Sequence, residues 1–214
     1  MRQEPKALEL FQEAHVPEAA GIYELLQHGT SVYLGRADRS LRRRISQARW
    51  KLSGRLRISV EDMAYRFVPM DASLVDMAPE RLVIQEGEYP WNRNGFGIKD
   101  PGRQRDRAEL NHEHFDLQYP IDLGWTFPHE IKAETLPQLL QSVRDALPYG
   151  FRYERVAASE EALNFRIEGR TPAREAFAAL VDGPLLGWQI TAKPGHVIGY
   201  KESFDYPQAL EVFR

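Results

Sequence analysis

Residues 21–35 read GIYELLQHGTSVYLG, and this stretch decides the fold of the first part of the chain. Both of its ends, Gly21–Leu26 and Ser31–Gly35, are rich in residues that favour β-strands. The polar segment between them, Gln27–Thr30, contains a glycine, which is typical of a hairpin turn. The pattern therefore predicts two antiparallel strands joined by a tight loop.

Each predicted strand carries a tyrosine, Tyr23 in the first and Tyr33 in the second. Residues on the same face of two paired strands lie about 5 Å apart, so the hairpin can bring both phenols to one place. Most tyrosines in strands are half-buried packing residues. The pair taken alone therefore indicates no function.

Helical and strand patterns alternate around this hairpin. Ser40 is a suitable N-cap for a helix whose apolar residues recur on one face, at Leu41, Ile45, Ala48 and Leu52. Three more elements are predicted before residue 90, namely a helix at 6–14, a strand at 64–69 and a helix at 78–86. We therefore expect an α/β fold of the α+β kind, with a small, mainly antiparallel three-stranded sheet flanked by helices.

The remainder of the chain divides at about residue 128. Residues 93–128 are rich in Gly, Pro, Asn and charge without sustained periodicity, which predicts a long ordered loop, and such loops are usually functional. Beyond the loop we predict helices at 136–147 and 171–181, a strand at 149–156 and a hairpin at 188–201. We expect one domain over residues 1–128 and a C-terminal α/β extension of unassigned role over 129–214.

The composition limits the chemistry that the chain can perform. It contains no cysteine, which excludes disulfides, zinc–thiolate sites and thiol nucleophiles, so any metal must be held by oxygen or imidazole. No apolar run approaches the roughly 20 residues that span a bilayer, and the N-terminus lacks the core of a signal peptide. We therefore expect a cytoplasmic protein without a membrane partner.

The charge of the chain is unevenly distributed. The net charge is −3 and the isoelectric point is about 6.1, yet residues 36–57 contain nine Lys or Arg residues against one acid. A second basic cluster consists of Arg93, Lys99, Arg103, Arg105 and Arg107. Local basic stripes of this kind favour a surface that follows nucleic-acid phosphates, and the alternative is an ordinary solvated helix face.

Five short elements of the chain resemble the GIY-YIG nuclease superfamily, in that family's order and spacing. They are Gly21-Ile22-Tyr23, Tyr33-Leu34-Gly35, Leu41–Ile45, Glu80–Ile84 and Asn92. Residues 90–103 also resemble the segment after the catalytic Asn in type II restriction endonucleases of this superfamily that cut GC-rich palindromes. The similarity covers roughly residues 18–95 and continues more weakly over 115–127.

The resemblance implies a phosphodiesterase site with one role for each matched residue. It assigns the deprotonation of water to Tyr23, with Tyr33 beside it, and the stabilisation of the phosphate to Arg44. Arg44 is selected among three adjacent arginines because the family arginine lies three residues after one apolar residue and directly before another. The resemblance also assigns one divalent cation to Glu80, with Asn92 on the metal side, and Mg²⁺ suits such a site, with Mn²⁺ able to replace it.

The same resemblance implies a double-stranded DNA partner, expected to be palindromic and to be bound by a homodimer, with a companion DNA methyltransferase as a genetic partner. Bases would be read from the loop at 93–107, for which the alternative is a structural cap. The expected DNA-contacting residues are Arg36, Arg42, Arg43, Arg49, Arg93, Lys99, Arg103 and Arg105.

Several alternatives remain open from the sequence. The restriction enzymes of this family typically carry His where this chain has Ala48, so another group would have to substitute, or the chain is a DNA-binding relative without activity. A nicking or structure-specific repair nuclease of the same fold is a second alternative. A metal site at His112 and His114, and a carboxylate–x–Lys element at Glu130-Ile131-Lys132, are weaker ones.

Overall fold

The computed structural model describes residues 4–70, 89–97, 106–156 and 163–214. The helix predicted at 78–86, which contains Glu80, lies outside the described residues. The chain forms two compact units, the first from residues 1–99 with 113–118 and the second from residues 100–112 with 119–214. Both contain helices and antiparallel strand pairs, which confirms the predicted mixed class.

A four-stranded antiparallel sheet organises the first unit. Its strands, in the order β1-β4-β2-β3, span Lys6–Ala7 (β1), Met63–Pro69 (β4), Gly21–Gln27 (β2) and Thr30–Ala37 (β3). The three strands predicted for this part of the chain are confirmed. The sheet is wider than expected because β1 adds to the edge formed by β4.

Strand β1 replaces part of the helix predicted at 6–14, and that prediction is wrong. Lys6 pairs with Tyr65 of β4, and only Glu13–His15 form a short 3₁₀ turn. Of the apolar residues that suggested a helix, Leu8 and Phe11 instead pack against the sheet, and Leu10 is exposed. Leu8 is fully buried, and the ring of Phe11 meets the ring of Tyr65 edge to face at 5.6 Å.

The turn between β2 and β3 is the tight hairpin that the sequence predicts. Its two central residues, His28 and Gly29, have φ angles of 48° and 82°. Two consecutive positive φ angles give a turn whose twist matches the twist of the flanking strands. Tyr23 pairs with Gly35, and Leu25 pairs with Tyr33. Both tyrosines therefore lie on one face of the sheet, at diagonally related positions.

Helix α1, Leu41–Ser53, packs on that same face of the sheet. The Ser40 hydroxyl accepts a hydrogen bond from the Arg43 N–H at 3.0 Å, which confirms the predicted N-cap. The four predicted apolar residues are all buried. Gly21 allows the close approach, because a Cβ there would lie 2.8 Å from Cδ1 of Leu41.

A short aromatic cluster completes the described part of the first unit. Helix α2, Pro90–Arg93, is followed by a turn at 94–97, and helix α3, Phe115–Gln118, returns to the same unit. The ring centroids of Trp91, Phe96 and Phe115 lie 4.7–5.1 Å apart. The Phe115 N–H also donates to the Asn94 carbonyl at 2.6 Å.

The second unit has its own sheet and core. Its main sheet, in the order β10-β8-β9-β6, spans Glu211–Phe213 (β10), Gln189–Ala192 (β8), His196–Tyr200 (β9) and Gly150–Tyr153 (β6). A separate pair consists of Ile131–Lys132 (β5) and Arg166–Ile167 (β7). Its helices are Leu136–Ala146 (α4) and Ala173–Asp182 (α5). The predicted helices, strand and hairpin of this region are confirmed.

The boundary between the units differs from the one expected near residue 128. Ile121, Leu123 and Phe127 are buried in the core of the second unit, so the chain joins that unit well before residue 128. Asp106 is also fully buried there, where it is bonded by Arg152, His196 and Tyr200. No helix in the described part of the chain is long and apolar enough to cross a membrane.

Candidate active site

The structure brings the two predicted tyrosines together on the face of the hairpin that α1 covers. Their ring centroids lie 5.9 Å apart and their planes are inclined by 55°. Tyr23 is buried, with 5% of its surface exposed, whereas Tyr33 is half-buried on the edge strand β3. The Tyr23 phenol is therefore buried against the sheet, whereas the Tyr33 phenol lies nearer to solvent.

Each tyrosine ring lies against a glycine. A Cβ on Gly35 would fall 2.3 Å from Cζ of Tyr23, so any side chain at this position would displace that ring. A Cβ on Gly97 would fall 2.6 Å from the hydroxyl oxygen of Tyr33. The sequence motif pointed to Gly35, whereas Gly97 was missed because nothing local connects it to β3.

Asn92 binds the open edge of β3. Its Oδ1 accepts a hydrogen bond from the Leu34 N–H at 2.8 Å, and its Nδ2 donates to the Leu34 carbonyl at 2.7 Å. The amide thus imitates a neighbouring strand and fixes α2 next to the tyrosine pair. Its expected place on the metal side of the site stays a prediction, and its contacts in the structure are with the backbone.

A buried ion pair on the opposite face of the sheet also holds this region. Glu24 and Arg66 face each other across β2 and β4 and form a hydrogen-bonded ion pair. Burial alone would raise the pKa of Glu24, but hydrogen bonds from Arg66, Ser31 and Tyr89 and the charge of Arg66 outweigh it and lower the pKa. Because Tyr89 directly precedes α2, its hydrogen bond to Glu24 is a second connection between α2 and the hairpin, in addition to that of Asn92. The sequence signal was a lone acid in an otherwise apolar strand.

Arg44 is exposed on α1, beside a cleft at the N-terminal end of the helix. The positive end of the helix dipole lies at this end. The cleft is lined by Glu18, Asp38, Arg39, Ser40, Arg43, Arg44 and Gln47. The arginines of this helix therefore form a surface that attracts anions, and the carboxylates of Glu18 and Asp38 weaken that attraction.

Position along the helix also relates Arg44 to the tyrosines. Lys51 lies seven residues later, which places it on nearly the same stripe of α1, about 10 Å along the axis. Its ammonium donates to the Phe96 carbonyl at 2.6 Å, and the Phe96 ring meets Tyr33 at 4.8 Å. The flank of α1 that carries Arg44 is therefore the flank directed to the Tyr33 side of the sheet.

The other predicted DNA-contacting residues that the structure describes separate into two groups. Arg43, Arg49 and Arg93 are exposed. Arg42 instead donates to the Val16 carbonyl at 3.0 Å and lies 3.6 Å from the Glu18 carboxylate, and Arg36 pairs with Asp38 at 2.8 Å. Lys99, Arg103 and Arg105 lie outside the described residues.

Ala48, at the position where the restriction enzymes that the sequence resembles carry His, is a core residue that is 5% exposed. His114 packs over Gly95, and its Nδ1 accepts from the Asp116 N–H at 3.1 Å. Lys132 forms an ion pair with Glu130 at 2.9 Å.

Within the described ranges, no group of three or more His, Asp or Glu residues is arranged to hold a metal ion. His112 and His114, the weaker alternative from the sequence, belong to no such group. Glu80, to which the sequence assigns the metal, lies outside those ranges.

The chain was also compared with models of known protein families and with curated proteins, and neither comparison found a match.

Proposed function

We propose that the chain is a cytoplasmic, metal-dependent and sequence-specific double-strand DNA endonuclease of the GIY-YIG restriction type. The observation that supports this proposal most strongly is the convergence of Tyr23 and Tyr33, 5.9 Å apart, on the sheet face covered by an arginine-rich helix. Glycines lie under both phenols, and an asparagine is bonded to the adjacent strand edge.

The chemistry needs groups of these kinds. Hydrolysis of a phosphodiester requires removal of a proton from water and stabilisation of the charge that develops on phosphorus. In our proposal Tyr23 reacts as its phenolate, its own proton having passed to bulk water, with Tyr33 beside it. The phenolate oxygen orients the attacking water and takes its proton as the O–P bond forms, and the P–O3′ bond breaks with the 3′ oxygen protonated from solvent. The guanidinium of Arg44 stabilises the phosphate oxygens. Asn92 keeps α2 in place at the edge of β3.

A divalent cation, Mg²⁺ or Mn²⁺, belongs to this proposal through Glu80. When bound, it would act as a Lewis acid towards the phosphate. The described residues alone do not form a site for it, and the Oδ1 of Asn92 already accepts a hydrogen bond from the backbone.

Binding of DNA is assigned to the exposed arginines. Arg43, Arg44 and Arg49 project from α1, and the cleft beside Arg44 can accept a phosphate group. A homodimer on a palindrome is the simplest arrangement in which two such sites cut both strands. A companion DNA methyltransferase would protect the host sequence in a restriction system.

A second candidate function is DNA binding without cleavage. It is favoured by Ala48, because a buried methyl group offers no proton carrier at the position where related enzymes have His. A nicking or structure-specific nuclease of the same fold would use the same tyrosines. The three possibilities differ in their products.

Digestion of supercoiled plasmid DNA separates them. The purified chain is incubated with a plasmid library in Mg²⁺, in Ca²⁺ and in EDTA, and the ends are sequenced. We expect double-strand breaks at one short palindromic sequence in Mg²⁺ and none in EDTA. Nicks alone would favour the repair nuclease. Binding in Ca²⁺ together with an absence of breaks in Mg²⁺ would favour the inactive relative. A chain that neither binds nor cleaves DNA would refute the proposal.

A further inference from the structure

Lys51 belongs to α1, and its side chain reaches the turn at 94–97. Its contacts there are with a backbone carbonyl and an aromatic ring. Its ammonium donates to the Phe96 carbonyl at 2.6 Å. The same ammonium lies 4.4 Å from the centroid of the Phe96 ring and 5.4 Å from that of Phe115. These are favourable positions for a cation over an aromatic face, so the side chain ties the helix to the turn by two kinds of contact.

The turn that Lys51 holds is the part of the molecule against which Tyr33 rests. The Phe96 ring meets the Tyr33 ring edge to face at 4.8 Å, and the Gly97 backbone lies against the Tyr33 hydroxyl. Because β3 is the edge strand among the described residues, no further strand within those ranges flanks Tyr33 on that side. The position of its phenol therefore depends on where the turn lies.

A buried acid, Asp116, also interacts electrostatically with Lys51. Asp116 in α3 pairs with Arg55 at 2.9 Å, beyond the C-terminal end of α1. Burial alone would raise the pKa of Asp116, but the charges of Arg55, Lys51 and His114 outweigh it and lower the pKa. The carboxylate thus stays ionised near neutral pH. Lys51 therefore helps to keep Asp116 ionised, while its ammonium is bonded to the turn.

We propose that Lys51 is a positioning residue for the Tyr33 phenol, acting through the Phe96 carbonyl and the Gly97 backbone. This inference rests on the proposed function for its catalytic consequence. It assigns a task to a side chain that the sequence alone places only within a basic run. Loss of the ammonium releases the turn, and Tyr33 then leaves its working position.

The test compares Lys51→Met, which keeps length and removes charge, with Lys51→Arg, which can still donate to the carbonyl. Lys201→Met makes the same change at an exposed position of the second unit and serves as the matched control. Single-turnover cleavage in Mg²⁺ gives the chemical rate, and DNA binding in Ca²⁺ gives the affinity. Nitration of Tyr33 by tetranitromethane, mapped by peptide analysis against Tyr153, reports the phenol without requiring activity.

We expect Lys51→Met to lower the single-turnover rate roughly 10- to 100-fold, as small misplacements of catalytic groups do, with little change in DNA affinity. Lys51→Arg should recover part of the rate, and Tyr33 should be nitrated faster in Lys51→Met than in the parent chain. Lys201→Met should leave the rate, the DNA affinity and the nitration of Tyr33 unchanged.

An unchanged cleavage rate in Lys51→Met would overturn the inference. An equal loss of rate in Lys51→Met and Lys51→Arg, with the nitration of Tyr33 unchanged, would also overturn it. If the parent chain cuts no DNA, the proposed function fails separately, and nitration alone then decides. Faster nitration of Tyr33 in Lys51→Met would support the positioning role, and equal nitration would refute it.

Discussion

Individual residues in the candidate site are held in place by contacts far away in sequence. Asn92 bonds both backbone groups of Leu34, which is 58 residues away. Glu24 is bonded to Arg66 across two strands, and Tyr33 rests on the backbone of Gly97. The types of these residues can be recognised in the sequence, but their partners depend on how distant strands and turns come together.

The ion pair of Glu24 and Arg66 predicts a defined dependence of stability on pH. The pKa of Glu24 is lowered in the folded chain from its ordinary value of 4.5. Its contribution to the free energy of unfolding is therefore fully present above pH 4.5 and is lost as pH falls through the lower, folded value. Urea unfolding followed by circular dichroism, from neutral pH into the acid range, measures this loss.

Glu24→Gln should be less stable than the parent chain at neutral pH and should lose less stability on acidification. Glu9→Gln, at an exposed position, is the control and should follow the parent curve. Part of the slope should remain in Glu24→Gln, because the pKa of Asp116 is lowered as well. Parallel curves for Glu24→Gln and the parent would contradict the assignment.

Secondary-structure elements that depend on local patterns were predicted well. The hairpin at His28-Gly29 and the helix capped by Ser40 follow from turn chemistry and from the spacing of apolar residues within a few turns. Strand β1 was missed because two residues carry no strand pattern, and their partner Tyr65 lies far along the chain. The apolar spacing of Leu8 and Phe11 therefore resembled a helix face.

Helix α1 offers a matched pair of adjacent arginines. Arg43 is exposed beside the cleft, whereas Arg42 is engaged with the Val16 carbonyl and the Glu18 carboxylate. Arg43→Ala should weaken DNA binding and reduce the slope of log affinity against log salt by about 0.9, the contribution of one neutralised phosphate. Binding titrations at several salt concentrations measure this slope.

Arg42→Ala is the control for that experiment. It should leave the salt slope unchanged and lower the free energy of unfolding by about 1 kcal/mol, because its hydrogen bond is internal to the protein. An equal loss of slope in both variants would show that Arg42 also reaches the DNA. An unchanged slope in Arg43→Ala would remove α1 from the proposed interface.

At the scale of the whole chain, the two units are not two consecutive stretches of the sequence. The chain passes between the two units three times, after residues 99, 112 and 118. A fragment that ends at residue 99 would therefore lack Phe115, whose ring meets Phe96 in the turn that supports Tyr33, and Asp116, which pairs with Arg55. The sequence did not show this return, because residues 113–118 carry no pattern that separates them from the surrounding loop.

The central claim is that the tyrosine pair performs phosphodiester hydrolysis, and Tyr23→Phe tests it most directly because only one hydroxyl is removed. Tyr65→Phe makes the same change on the same sheet face, at another buried position two strands from β3. The measurement is the single-turnover rate of DNA cleavage in Mg²⁺ by the full chain. We predict a fall of roughly 10²- to 10⁴-fold for Tyr23→Phe, with DNA binding retained, and a rate close to the parent for Tyr65→Phe. Cleavage by Tyr23→Phe at the parent rate would contradict the account.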